Sequence, residues 1–145
     1  MSRAYPERPF VGVGVVVLKG DDVLLIRRGK PPRQGQWSLP GGSQETGETV
    51  FEAGAREVME ETGVEIGPPR LVDIIDSIQR DGDGRVRYHY TLIDLAAEWV
   101  AGEPVADTDA EHAEWMPWTE VPALEMWEET TRVIAEARRL FGRGA

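Results

Sequence analysis

No cysteine occurs among the 145 residues, and histidine occurs only twice. The missing thiols exclude a disulfide scaffold, a thiolate metal site and any cysteine nucleophile. Basic residues are scarce: 16 Lys and Arg stand against 26 Asp and Glu, a formal net charge of -10. A non-specific grip on nucleic-acid phosphates needs a basic surface, so the balance argues against a long nucleic-acid partner. No run of 18 apolar residues is present, and residues 1–10 carry Arg3, Glu7 and Arg8 with no apolar stretch ahead of a small-residue cleavage site. Neither a membrane span nor export is indicated. The expectation is a cytoplasmic protein forming one domain over residues 1–145, long enough to bury a core without staples. A small anionic substrate fits this charge only if something cationic sits at the site.

What is present divides into short β-branched runs and two helical stretches, with no internal repeat. Val11 to Leu18 and Val23 to Arg27, separated by Lys19-Gly20-Asp21-Asp22, predict a β-hairpin of buried strands. Arg28 to Gln36 reads as a basic loop, followed by Trp37-Ser38-Leu39 and the breaker Pro40-Gly41-Gly42. Thr49 to Glu61 predicts a helix, with Thr46 or Thr49 as N-cap and Gly63 just past its end. Leu71 to Ile78 and Arg85 to Leu95 flank Asp81-Gly82-Asp83-Gly84, a second hairpin. Ala101 to Glu114 reads as an acidic loop and Trp115 to Trp118 as a short strand. Glu125 to Phe141 closes the chain as an amphipathic helix whose apolar stripe is core packing. Strands, helix, strands, helix make an α+β fold, a layered α/β/α sandwich around a mixed sheet.

On the first helix, Glu57, Glu60 and Glu61 fall within an arc of about 100°. Phe51, Ala55, Val58, Met59 and Thr62 fill a separate arc, and Ala53 and Gly54 leave room beside the carboxylates. Three like charges at these spacings repel by a few tenths of a kcal/mol per pair, and two of them sit in the last turns, where the helix dipole disfavours anions. Standing alone, such a face reads as solvated surface. Hard oxygen ligands on one face also suit Mg²⁺ or Mn²⁺, which in turn suit phosphate oxygens.

The loop before the helix bears on that choice. Gly42-Ser-Gln-Glu-Thr-Gly-Glu48, seven residues, then Arg56-Glu57-Val58-Met59-Glu60-Glu61-Thr62-Gly63-Val64 resembles the box of the Nudix (MutT-like) hydrolase family at all nine defining positions. From this composition a chance match anywhere in the chain is on the order of 10⁻⁶. The resemblance implies hydrolysis of a pyrophosphate linkage with Mg²⁺ or Mn²⁺ as cofactor. Glu57, Glu60 and Glu61 then look like metal carboxylates, with a carbonyl of Gly41 or Gly42 as a further ligand. Glu48 and Arg56 look like a pair that orients the helix. The general base is left open: in some relatives it is a box glutamate, here Glu57, and in others an acid of a downstream loop, here Glu111 or, second, Glu114. The alternative for Glu111 is an ordinary exposed acid.

Arg27, Arg28, Lys30 and Arg33 form the one dense basic cluster, which reads either as a contact to substrate phosphate or as ion pairs with nearby acids. Trp37 reads as a base-stacking or core aromatic, and Trp115 and Trp118 as packing. His89 and Tyr90 alternate onto opposite faces, which lets one of them face a cleft beside that strand; a lone His in a strand otherwise reads as hydrogen-bonded structure, and His89 is not among the catalytic candidates. The substrate class implied is a nucleoside diphosphate linked to a second moiety. Arg28-Gly-Lys-Pro-Pro and Arg87-Tyr-His-Tyr resemble compact bacterial ADP-ribose pyrophosphatase-like proteins. Yet Arg80 stands where many of those enzymes carry Pro, and Asp81 and Gly82 stand near a Tyr typical of diadenosine polyphosphate hydrolases. The alternatives are a house-cleaning nucleoside triphosphate pyrophosphohydrolase and a non-catalytic nucleotide sensor, though sensors usually lose box carboxylates and this chain keeps them all. Members of the family are often homodimers; the sequence shows no patch that identifies such an interface.

Overall fold

The computed structural model describes residues 3–29, 34–105 and 110–144, with the backbone alone at Ala110 and Glu111. The β-branched run becomes strand β1 (Phe10–Lys19), which turns into β2 (Asp22–Arg28) as the hairpin expected. Val15, Val16 and Val17 are all fully buried, so β1 is covered on both faces. Two short strands follow, β3 (Trp37–Ser38) and β4 (Gly41–Ser43), so the residues read as a breaker form a strand instead. Helix α1 (Val50–Thr62) leads to β5 (Glu65–Ile66), which the sequence did not signal. The second hairpin is β6 (Arg70–Arg80) and β7 (Val86–Ala101), the latter six residues longer than expected at its end. Strand β8 (Ala110–Pro117) takes up part of the stretch read as an acidic loop. Trp118 opens a 3₁₀ turn (Trp118–Ala123) rather than closing the strand, and helix α2 (Glu128–Leu140) starts three residues later than expected.

Among the described residues eight strands form one mixed sheet, with β1 and β7 parallel and the other pairings antiparallel. α1 covers one face through Val13, Val15, Val17, Ala53, Val58 and Leu95. α2 and the 3₁₀ turn cover the other through Val16, Leu18, Leu25, Val121, Val133 and Ile134. The α/β/α sandwich therefore stands. Thr49 caps α1 through a reciprocal pair: its hydroxyl accepts from the Glu52 N–H at 3.1 Å, and the Glu52 carboxylate accepts from the Thr49 N–H at 2.9 Å. Gly63, at φ 78°, ends it.

The buried side of α1 overlaps the apolar arc only at Val58 and Thr62. Ala53, Gly54, Val58 and Thr62 face the sheet, whereas Phe51 and Met59 are 42% and 45% exposed. Ala53 and Gly54 bury against the sheet rather than leaving space by the acids. On a helical wheel Glu57 and Glu61 fall between Ala53 and Gly54, so both carboxylates are directed at the edge of the sheet. That edge is unusual. β1 pairs with β4 through Gly12, Val13 and Gly14 but with β2 only through Leu18 and Lys19. Residues 37–43 thus wedge between β1 and β2, and the Val15 N–H donates to the Pro40 carbonyl at 3.0 Å.

The wedge depends on Gly41, because any side chain there would overlap the Val13 carbonyl and Gly14 backbone. Gly41→Ala is expected to destabilise the fold by about 3 kcal/mol or more, since backbone rather than a pliable side chain must move. Chemical denaturation of the two proteins measures this.

Candidate functional site

Residues 42–49 are tied to α1 by one guanidinium. Arg56 donates from Nε and Nη2 to the two oxygens of Glu48 at 3.0 and 2.7 Å. Its Nη2 also donates to the Ser43 carbonyl at 3.0 Å. Its Nη1 donates to Glu57 at 2.7 Å and to Glu60 at 3.1 Å. A forked, charge-assisted pair of this kind is stronger than a neutral hydrogen bond. The Arg56 guanidinium holds the Glu48 carboxyl below the ordinary range, and the Glu45 N–H adds to this. Glu48, above all, raises the pKa of Arg56 in return and keeps it charged.

The three acids of the helix face meet different partners. Glu57 packs against the bare Cα of Gly42, where a side chain would collide with its carboxylate. Glu61 accepts the Gly41 N–H at 3.1 Å. Glu60 is more open, with a side chain 59% exposed. Among the described residues no group of three carboxyl or imidazole side chains is closed up as a metal-ligand set. The donors nevertheless suit a hard divalent cation: all are oxygens, and two of the acids already share one nitrogen of Arg56.

Beside this network lies a cleft of about 610 Å³. Gly41, Gly42 and Glu61 line one part of it, and Tyr88, Tyr90, Ser77 and Gln79 of the β6–β7 hairpin another. Trp37, Trp127, Thr130 and Asp94 line a third part, on the α2 side of the sheet. Of the basic cluster, Arg28 reaches the cleft, while Arg27 donates to the Gly35 carbonyl at 3.1 Å. Lys30 and Arg33 lie outside the described residues, as does the side chain of Glu111, whose backbone is in β8 rather than in a loop. Glu114 does not line the cleft; it meets His112 at 3.2 Å. Tyr90, not His89, is the cleft residue of that pair. Trp37 packs on the α2-side core and also lines the cleft, while Trp115 and Trp118 pack against the two cores.

Several cleft residues escaped the sequence reading, Arg3 and Asp94 among them. Arg3 lines the cleft and donates to the Ser43 hydroxyl at 2.7 Å, and nothing in an N-terminal stretch signals that placement. Asp94 is only 9% exposed, and burial pushes its carboxyl up to about 6, with Asp73 adding to the effect. An acid inside the apolar run Thr91 to Ala97 was a visible signal.

Comparison with known proteins matches residues 8–138 to the NUDIX domain. An ADP-ribose pyrophosphatase of Methanocaldococcus jannaschii is 37% identical over 80% of this chain and 66% of its own length. A human 8-oxo-dGDP phosphatase is 34% identical over 78% of this chain and 33% of its own. The chain thus spans two thirds or less of these relatives. A MutT NUDIX hydrolase structure from Burkholderia pseudomallei superposes with a TM-score of 0.77 at 29% identity, covering 90% of this chain and 98% of that one.

Asp94 also sets a pH dependence. A carboxyl that is neutral more readily in the folded than in the unfolded chain favours folding below about pH 4, and that advantage disappears as pH rises through about 6. The stability of the wild type relative to Asp94→Asn is expected to fall by about 3 kcal/mol across this window. Denaturant unfolding of both proteins at several pH values measures it; the lowered carboxyl of Glu48 cancels in the difference, whereas the charge interaction of Asp94 with Asp73 is part of what is measured.

Proposed function

Given that the chain belongs to the NUDIX family, we propose that it hydrolyses the diphosphate of a nucleoside diphosphate joined to a second moiety. ADP-ribose or a similar nucleotide sugar is the substrate, and the products are a nucleoside monophosphate and the phosphorylated partner. The observation that carries this reading is the cleft's junction with the box: Glu61, Gly41 and Gly42 stand at its wall, with Glu57 against Gly42. Glu57, Glu60 and Glu61, with the Gly42 carbonyl, would hold Mg²⁺ or Mn²⁺. Bound there, the ion supplies charge neutralisation to the diphosphate and lowers the pKa of a water it carries.

The chain's own residues do the rest. Glu48 and Arg56 fix the helix, and with it the carboxylates, in one orientation. Glu57 takes up the proton released when water attacks phosphorus, or Glu111 does so from β8. Arg28 offers a cation to the phosphate oxygens, as Lys30 and Arg33 do in the same reading. The aromatic and amide side chains of the cleft take the nucleoside and the sugar. The same reading keeps the enzyme cytoplasmic, with a small nucleotide as its partner and a homodimer as the form to test. A second reading, hydrolysis of nucleoside triphosphates including oxidised ones, draws support from the likeness to a putative 8-oxo-dGTP diphosphatase of Mycobacterium tuberculosis, 33% identical over 72% of this chain and 79% of its own length, and from Arg80 in place of Pro.

Two outcomes are expected. With Mg²⁺, phosphate-product assays over ADP-ribose, other nucleotide sugars, dinucleotides and nucleoside triphosphates should show preferred turnover of ADP-ribose. Glu61→Gln should cost at least about 100-fold, beyond the 10–100-fold typical of residues that merely support a ligand. Preferred triphosphate turnover selects the second reading, and near-wild-type turnover by Glu61→Gln removes Glu61 from the ligand set. Millimolar Mg²⁺ should also raise the melting temperature of the wild type more than that of Glu61→Gln, because the folded chain alone gathers these acids.

A further inference from the structure

Asp94 lies in β7 directly beside Gly14 of β1, and its Oδ1 stands 3.0 Å from where a side chain of residue 14 would begin. The strand alternation that buries Ala96 with the α2-side core puts Asp94 on that same face, at the floor of the cleft. No described residue donates a hydrogen bond to its carboxylate. The charged groups that face it are Asp73 of β6 and Arg132 and Glu129 of α2. Arg132 is engaged elsewhere, at 2.7 Å from Asp73 and 2.7 Å from Glu129. Ser38 lines the same cleft, and its hydroxyl oxygen is buried without a hydrogen-bond partner. The buried Ser38 hydroxyl is costly to leave without a partner, and the Asp94 carboxylate, given no donor by the described residues, opens only to the cleft, where a ligand can supply one.

Their surroundings limit what that ligand is. Trp37, Trp127, Leu39 and Leu92 line the cleft there, an apolar and aromatic enclosure that suits a flat, uncharged ring. Gly41, Gly14 and Asp94 follow one another across neighbouring strands, so Asp94 stands two strand spacings, roughly 10 Å, from the backbone beside the box carboxylates. A nucleoside 5′-phosphate bridges a separation of that size, with phosphate at one end and base at the other.

We propose that Asp94 and Ser38 are the base-reading pair of this cleft, with the Asp94 carboxyl accepting a hydrogen bond from an N–H edge of the nucleobase. This rests on the reading of the cleft as a nucleotide site, but not on catalysis. Asp94 is a specificity-determining residue: it selects which base is held and leaves the phosphate end untouched. A site built to receive an N–H rejects a ligand lacking it, because the acceptor then stays buried and unpaired.

The test uses the full chain without metal, so that hydrolysis plays no part. Calorimetry measures binding of AMP, GMP, CMP, UMP and ribose 5-phosphate to the wild type, Asp94→Ala, Asp94→Asn and Ser38→Ala. The tightest of the four nucleotides is expected to lose about tenfold or more in Asp94→Ala and about threefold in Ser38→Ala, while ribose 5-phosphate changes less than about twofold. Asp94→Asn has the same shape but adds a donor, so the preference among the four bases should shift by about fivefold or more; this holds the test open if the alanine variant does not fold. Equal losses for ribose 5-phosphate, unchanged affinities and preferences in every variant, or no nucleotide binding by the wild type would each overturn the assignment. If base-dependent binding follows Asp94 but no diphosphate is hydrolysed, the assignment stands and the hydrolase reading falls.

Discussion

The site depends on one guanidinium. Arg56 serves Glu48, Glu57, Glu60 and the Ser43 carbonyl at once, and without it the helix would present three mutually repelling acids near its negative end. The arrangement works because Arg is always charged and carries five donors in a rigid fork; a Lys has the charge without the fork. Through Glu48, whose backbone N–H donates to the Glu45 carbonyl and whose backbone carbonyl accepts from the Gln44 side-chain amide, the same contact reaches back along residues 43–48. It therefore fixes two things together: the direction of the carboxylates and the path of the chain into Gly41 and Gly42.

A second constraint is the opening of the sheet. A continuous β1–β2 pairing would leave no room between the faces. Here β1 passes from β4 to β2 along its length, and the wedge of residues 37–43 carries Trp37 and Ser38 to one side of the opening and Gly42 to the other. The cleft consequently draws on both layers, with Glu61 from α1 and Trp127 and Thr130 from beside and within α2. Polar chemistry gathers at the α1 end and aromatic surface at the α2 end.

Much of this was legible in the sequence, and what was legible was local. The hairpins, the Thr49 cap, the Gly63 stop and the Gly42-to-Val64 pattern are all set by residues a few positions apart. What escaped depends on partners far along the chain. Strand β8, Ala110–Pro117, contains two Ala and two Glu, residues with little preference for strands, and is held there by its pairing with β2. The buried face of α1 was not legible from hydrophobicity, because the sheet accepts small Ala53 and Gly54 and leaves the larger Phe51 and Met59 at the rim. Asp94 was readable as an acid in an apolar strand, but its meaning comes only from Gly14 alongside it. Arg3 carried no signal, because the strap from residue 3 to residue 9 is placed by contacts such as that of Tyr5 with Asp81.

The parallel pairing of β1 with β7 joins Phe10 to Tyr90 and Leu18 to Glu98, partners 80 positions apart. During synthesis β1 can turn into its hairpin with β2 almost as soon as both emerge, since hairpins close in microseconds. Its other edge must wait for β7. At 5–20 residues per second, that interval is roughly 4–16 seconds. Throughout it, a strand with three consecutive valines offers an open row of backbone donors and acceptors to any neighbour. The loop and helix bearing the acids are complete well before then, so the nascent chain carries its charged end early and gains its base-reading end last. Long-range closure of this kind makes the ribosome-bound intermediate, more than the finished protein, the form most exposed to aggregation.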